Sequence, residues 1–257
     1  MTSIENFAKY LNFLKEVVKR DINRKYYKSA LGILWTILYP LITMIIITII
    51  FSTLFQRAVT NYPVYYFSAS LLFGLLTEST RSSIHSIVGN AALIKKMYIP
   101  KYMFCLSNVI VGIVNMLFSL ISFILIIIFT NHKLNFYALL FPIPIIYTII
   151  FSTGLSLVLS SSYVYFRDLN HLYGIVITLW TYITPIFYPI RIIPEKFIII
   201  WELNPMYHIV QIFRDCVYLG TMPSERSLII ATSYSILTLI WGIVTFKQKE
   251  KSFFLHI

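Results

Sequence analysis

Acidic residues are scarce in this chain: Asp and Glu together number 10 in 257 residues, against 21 Lys and Arg. Charge of either sign makes up 12% of the sequence, while 58% is apolar, a balance that excludes an ordinary soluble domain. Glycine is sparse as well, and the eight glycines never approach the spacing of a phosphate-binding loop. With no GxxxxGK[ST] present, the chain is not expected to hydrolyse ATP by that device. The two cysteines, Cys105 and Cys216, show neither metal-binding nor redox spacing and read as core thiols near opposite membrane faces. His85, His132, His171, His208 and His256 stand isolated without an HExxH, so no metal site and no catalytic residue is predicted. The first 28 residues lack both an apolar h-region and a small-residue cleavage site, and no cleavable signal is read there.

What the chain does have is long uncharged or nearly uncharged runs. They fall at about 33–55, 63–87, 102–130, 136–162, 171–190 and 228–246, each long enough to cross hydrocarbon at about 1.5 Å per residue. The expected fold class is therefore all-α, a polytopic membrane protein with about six transmembrane helices. Six crossings return the C-terminus to the side of the N-terminus. Lys9, Lys15, Lys19, Arg20, Arg24, Lys25, Lys28, Lys95, Lys96, Lys101, Arg167, Lys247, Lys249 and Lys251 collect on that side. Arg57, Lys133, Arg191, Lys196, Arg214 and Arg226 on the other are diluted by Glu195, Glu202, Asp215 and Glu225. The cation bias places both termini in the cytoplasm, and topology accounts for the net charge of +11 without nucleic acid.

Residues 1–30 read as a cytoplasmic interfacial helix: Phe7, Leu11, Leu14, Val18 and Ile22 share one face, with Lys15, Lys19, Arg20 and Asn23 largely elsewhere. Residues 31–257 form the six-span unit. Within it, about 191–226 carries Pro194, Asn204-Pro205 and Pro223 around two apolar stretches, Phe197–Trp201 and Met206–Phe213, too short to span. A re-entrant helix pair on the outer side, capping a translocation path, is the expected form. No internal repeat is evident, which disfavours a carrier built from inverted halves.

Ionisable residues inside the spans are functional candidates because charge at mid-bilayer is costly. Only Glu78 and Arg81 qualify, and their spacing predicts an internal ion pair rather than a proton relay. The energy for transport must then come from another protein. Between the second and third spans, residues 90–100 place Leu93, Ile94, Met97 and Tyr98 on an apolar face and Lys95-Lys96 on a polar one, with Pro100 ending the turn. Aromatics reach 17%, more than interfacial belts need. Sugar C–H faces rest on aromatic rings, which makes Trp35, Tyr39, Phe73, Trp180, Tyr182, Phe187 and Tyr188 candidates for a glycan channel. Arg24, Lys25 and Lys28, just before Leu31 and Gly32, form a cationic cluster suited to an anionic lipid headgroup.

Several of these stretches resemble one family. The run Tyr27-Lys-Ser-Ala-Leu-Gly-Ile-Leu-Trp-Thr-Ile-Leu-Tyr-Pro40 is similar to the YxxSxLGxLWxxxxP pattern of permease subunits of bacterial ABC exporters of lipid-linked polysaccharide, of the O-antigen, capsule and teichoic-acid type. Asn90, Leu93, Lys95, Lys96, Met97 and Pro100 look like that family's NxxLIKKxxxPK coupling helix, which docks on the ATPase. Tyr165-Phe-Arg-Asp-Leu169, Thr184-Pro-Ile-Phe-Tyr188 and Leu203-Asn-Pro-Met206 resemble its YFRDL, sPIfY and lNPm signatures in the same order, with Arg167 and Asp168 as a cytoplasmic charge pair. Leu75–Thr77 departs from the pattern, where many relatives carry an aromatic such as Trp.

The resemblance implies a homodimeric permease that is not itself an enzyme. It implies two ATP-binding cassette subunits carrying ATP and Mg, no cofactor in this chain, and a polyprenyl-linked polysaccharide as cargo across the bacterial inner membrane. Two other readings stay open on the residues: an ABC permease for a small drug or peptide, and a membrane-embedded glycosyltransferase. The second predicts clustered acidic residues, whereas Glu195, Glu202, Asp215 and Glu225 are spread among cations.

Overall fold

The computed structural model describes residues 3–26, 29, 31–55, 59–96 and 99–253, with helices, turns and no strand among them. Lys28, Met97 and Tyr98 lie outside these residues, as does the side chain of Phe7. The chain is a polytopic all-α membrane protein. Four stretches, Gly32–Leu54, Tyr102–Phe129, Phe136–Tyr163 and Glu225–Glu250, are long and apolar enough to cross a membrane.

Helix α1 (Ser3–Tyr26) lies against α5 (Tyr102–Phe129) at the end of the bundle that also holds the C-terminal turn. Val17 is buried there and Phe13 meets Phe104 edge-on at 5.4 Å. Its packed face is rotated from the predicted stripe, so Leu11 stays exposed and an interfacial helix can pack on protein with one side and lipid with the other. Helix α2 (Trp35–Phe55) carries Pro40 in its interior, which removes a backbone donor and strains the preceding turn. Ser122 Oγ on α5 donates to Ile37 O at 3.0 Å, satisfying a carbonyl beside that break.

The core of the bundle is α3 (Tyr62–Ile84), which packs on α5 and α6 (Pro142–Tyr163). At 23 residues it is long enough to span, yet Glu78, Arg81 and a series of hydroxyl side chains lower its apolarity. Being enclosed by other helices lets it carry them, because Thr77, Ser82 and Thr80 turn their hydroxyls back to carbonyls of their own helix. Helices α6 and α10 (Glu225–Glu250) cross through two glycines. A Cβ on Gly154 would lie 2.4 Å from Thr238 O, and one on Gly242 2.4 Å from Gly154 O. Only glycine lets two backbones approach so closely.

One predicted span is shorter than expected. The fourth, Phe136–Tyr163, keeps its length but opens with a 3-10 stretch, Phe136–Leu140, before Pro142 starts α6. The fifth is α7 (Leu169–Ile183), 15 residues or about 22 Å, because Pro185 excludes Thr184 from the helical region. The two short apolar stretches within 191–226 are unequal as well. Helix α8 (Ile198–Glu202) leaves Ile199 and Ile200 exposed, whereas α9 (Pro205–Phe213) buries Met206, His208, Ile209, Val210, Ile212 and Phe213 against α10, α6 and α3. Asn204 caps α9 by accepting from Met206 N at 3.0 Å, and a π turn, Arg214–Leu219, closes at Gly220 with φ +66°. Helix α1, α4 (Ala91–Lys96), the turn at Arg167 and the end of α10 gather at one basic end. Residues 59–62, 130–141 and 185–224 make the distal end, tied by Thr60 to Tyr218 and His132 to Val217.

Candidate functional site

Along α3, Tyr66, Ser70, Gly74, Thr77, Glu78 and Arg81 recur at helical spacing and share one side of the helix. Three adjoining clefts open along that side. One of about 550 Å³ runs between α3, α7 and the turn at Ile186-Phe187, with Lys25, Phe73, Gly74, Glu78 and Arg81 in its wall. A second of about 310 Å³ lies between α2, α3 and α5, lined by Tyr39, Pro40, Gly74, Glu78, Gly112 and Asn115. The third, about 400 Å³, adds Lys25, Trp35 and Thr36 at the basic end. Glu78 belongs to all three.

Glu78 does not pair with Arg81, which corrects the expectation from spacing. Its Oε1 accepts from Lys25 Nζ at 2.5 Å and from Asn115 Nδ2 at 2.7 Å. The cause is helix direction: Arg81 projects into the larger cleft, while Glu78 faces the side where the end of α1 and the middle of α5 converge. Both side chains of the ion pair stay partly exposed, so its worth is positional rather than stabilising. Among the described residues no ion pair reaches Arg81, which adds a cation to the cleft.

The predicted aromatic lining divides. Trp35 and Tyr39 are exposed in the clefts beside α2, and Phe73 and Phe187 line the larger one. Phe187 stacks on Tyr66 at 5.8 Å and on Phe51 at 6.0 Å, and Tyr182 borders it at 6.2 Å. Trp180, Tyr182 and Tyr188 line none of these clefts, and Trp180 and Tyr188 act as braces instead. Trp180 Nε1 donates to Asn204 Oδ1 at 2.8 Å between the rings of Phe73 and Phe151. The Tyr188 hydroxyl donates to Tyr182 O at 2.5 Å and accepts from Trp201 Nε1.

At the basic end, Arg24 and Lys25 close α1 and are exposed. Leu31 is exposed beside Gly32, whose φ of +48° favours glycine and whose N–H donates to Ser29 O. Of the cationic cluster, Lys25 lines the clefts and Arg24 does not.

The segment before Pro100 is a 3-10 turn, Val88–Asn90, followed by α4. Asn90 Nδ2 donates to Ser86 O at 2.8 Å and its Oδ1 accepts from Arg20 Nη2 at 3.3 Å, joining this turn to α1. Ile94 is buried and Leu93 half-buried against a satellite cluster that includes Ile87, Phe104, Leu157 and Phe246. The apolar face of α4 therefore covers the chain's own interior, and Gly89, Ala92, Lys95 and Lys96 are exposed. Arg167 and Asp168 are exposed nearby; Arg167 stands over the ring of Tyr163 at 5.2 Å, which meets His85, itself bonded to Asn170. Tyr165 donates to Lys249 O at 2.9 Å, and Lys101 Nζ to Glu250 O at 2.9 Å, fixing this turn and α5 to the end of α10.

Glu78 as an anchor, Asn115, Tyr66, Ser70, Gly74 and Ser119 are cleft residues that the sequence reading missed as a group. The four-residue rhythm Tyr66, Ser70, Gly74, Glu78 is the signal that could have found most of them. Among the described residues no three His, Cys, Asp or Glu side chains converge to hold a metal.

Comparison with known proteins places this geometry. The family model described as ABC-2 type transporter matches residues 13–218. An O-antigen export system permease protein RfbA of Klebsiella pneumoniae is 29% identical over 250 residues, 96% of each chain. The protein of the same name in Myxococcus xanthus is 24% identical over 252 residues, 97% of each chain. The polysialic acid transport protein KpsM of Escherichia coli is 22% identical over 240 residues, 91% of this chain and 92% of that one.

Proposed function

The chain belongs to the ABC-2 type transporter family, and from that premise we propose that it is the transmembrane subunit of an ATP-driven exporter of polyprenyl-linked polysaccharide. The observation that carries this reading is likeness over nearly the whole length to permeases named for O-antigen export. Two copies form the path in the inner membrane, both termini face the cytoplasm, and two separate ATPase subunits supply ATP and Mg. The basic end is then the cytoplasmic end and the distal end the outer one.

In this reading the anionic pyrophosphate end of the cargo approaches Arg24 and Lys25, each cation contributing roughly 1 kcal/mol of attraction. Lys25 is held by Glu78, and transfer of its ammonium from carboxylate to pyrophosphate opens the mouth of the clefts. Sugar rings then slide over Trp35, Tyr39, Phe73 and Phe187 in contacts of about 0.5–1.5 kcal/mol, weak enough to be broken repeatedly. The ATPase docks on the exposed side of α4, with Asn90 and Pro100 fixing its ends and Arg167 and Asp168 beside it.

The test joins function to topology. Deleting the gene removes surface polysaccharide and re-expression restores it. Cysteines introduced at Lys96 and Lys249 stay shielded from impermeant label in intact cells, while one at Glu202 is labelled. Labelling of Lys96 from outside, or unchanged surface glycan in the deletion strain, contradicts the reading.

A further inference from the structure

A second cavity, of about 130 Å³, lies at the distal end, separate from the clefts and bounded by Tyr65, Arg191, Tyr207, Gln211, Arg214 and Tyr218. Arg214 opens the π turn after α9 and is only 3% exposed. Its guanidinium carbon stands 3.6 Å from the centroid of the Tyr65 ring. One nitrogen, Nη2, donates to Tyr65 O at 3.3 Å and to Ile186 O at 3.4 Å, while Nε is buried without any acceptor.

A buried guanidinium needs a counter-charge or a full set of acceptors, and here it has neither. The adjacent carboxylate is engaged elsewhere, since Asp215 Oδ1 accepts from Gln211 Nε2 at 2.7 Å. Among the described residues no ion pair reaches Arg214 or Arg191, the exposed cation at the rim. Two arginines, three tyrosine rings and an amide around a space of this size form a wall with donors for an oxyanion and ring faces for sugar C–H groups.

We propose that this cavity is a binding site for the carboxylate of an acidic sugar, at the outer end of the permease. The carboxylate takes the guanidinium groups of Arg214 and Arg191, and the sugar ring lies between Tyr207 and Tyr218. The site holds one residue at a time, so it grips an emerging acidic polymer and leaves a neutral one ungripped. This assignment rests on the reading of the chain as a glycan exporter.

Thermal-shift titration of the purified permease–ATPase complex in neutral-lipid nanodiscs tests it, using trigalacturonate, maltotriose and inorganic phosphate at matched ionic strength. Trigalacturonate is expected to raise the melting temperature saturably, and maltotriose and phosphate to leave it unchanged. Arg191→Gln, which removes one charge-assisted contact, and Tyr207→Ala, which removes a ring face, both at positions that are not fully buried, should each weaken the apparent affinity at least about fivefold. Arg214→Lys should abolish the shift; if it fails to assemble, the rim variants still decide. Equal response to maltotriose, or full affinity in Arg191→Gln, overturns the site. A shift with phosphate, or only when phosphatidylglycerol replaces the neutral lipid, overturns the sugar assignment. Surface glycan that survives gene deletion would instead remove the exporter reading, which keeps the two failures apart.

Discussion

Replacing Gly74 by Trp stops export while leaving the permease assembled. Gly74 borders both the larger cleft and the one beside Tyr39, and a Cβ built on it meets no atom within 4 Å. The position therefore accepts a side chain without moving backbone, and an indole brings roughly 200 Å² of surface into the space the cargo needs. Surface polysaccharide is expected to fall by about tenfold or more, the effect of a barrier near 1.4 kcal/mol or higher. Gly74→Ala fills almost nothing and improves helix propensity, so it should export normally. Permease amount by immunoblot and surface glycan by gel staining check both variants. Normal glycan with Trp at this position would show that the cargo takes another route.

Charge reversal on α4 should uncouple the motor. The exposed Lys95 and Lys96 are the cations that the basic end offers an acidic partner surface, whereas Leu93 and Ile94 are turned inward. Lys95→Glu with Lys96→Glu is expected to lower affinity for the ATPase by about thirtyfold or more, since interfacial charge contacts are worth on the order of 2–5 kcal/mol when lost. Permease abundance should change little, because neither side chain is buried. Leu93→Asp predicts a different failure: a carboxylate forced toward Phe104 and Phe246 destabilises the permease itself. Co-purification of the ATPase against total permease separates the two. Full retention of the ATPase by the double reversal would leave α4 as a surface turn.

Helices α2, α5, α6 and α10 are legible in the sequence because each is an apolar run of spanning length. The polar stripe of α3 was visible too, but only as single residues: Glu78 and Arg81 are three apart, and spacing alone paired them. The partner Lys25 is 53 positions away from Glu78, a contact made by packing α1 across the mouth of the bundle, which no local pattern encodes. Helix α7 was overestimated because apolar residues continue past Pro185 although the helix does not. The same proline turn decides the aromatic candidates. It sends Phe187 into the cleft and Tyr188 toward Trp201, a choice of face that composition cannot express. Residues 90–100 show an apolar and a basic face in the sequence, but not what covers the apolar one. That apolar side has a home inside the chain, in the cluster with Phe104 and Phe246. Arg214 read as one more cation outside the membrane, and its burial against Tyr65 depends on α9 entering the bundle from the distal end.

On the proposed reading, this chain forms the path by which an ATPase moves a lipid-linked glycan across the membrane. The most direct measurement is reconstitution of the permease with its ATPase in proteoliposomes loaded with polyprenyl-pyrophosphate-linked polysaccharide. Accessibility of the glycan to an impermeant glycosidase is then followed on the face opposite the ATPase. Appearance of glycan there with ATP and Mg, and its absence without ATP or with Trp at Gly74, is the predicted result. ATP-driven movement of a small drug or peptide, with the glycan left where it was loaded, would contradict the account.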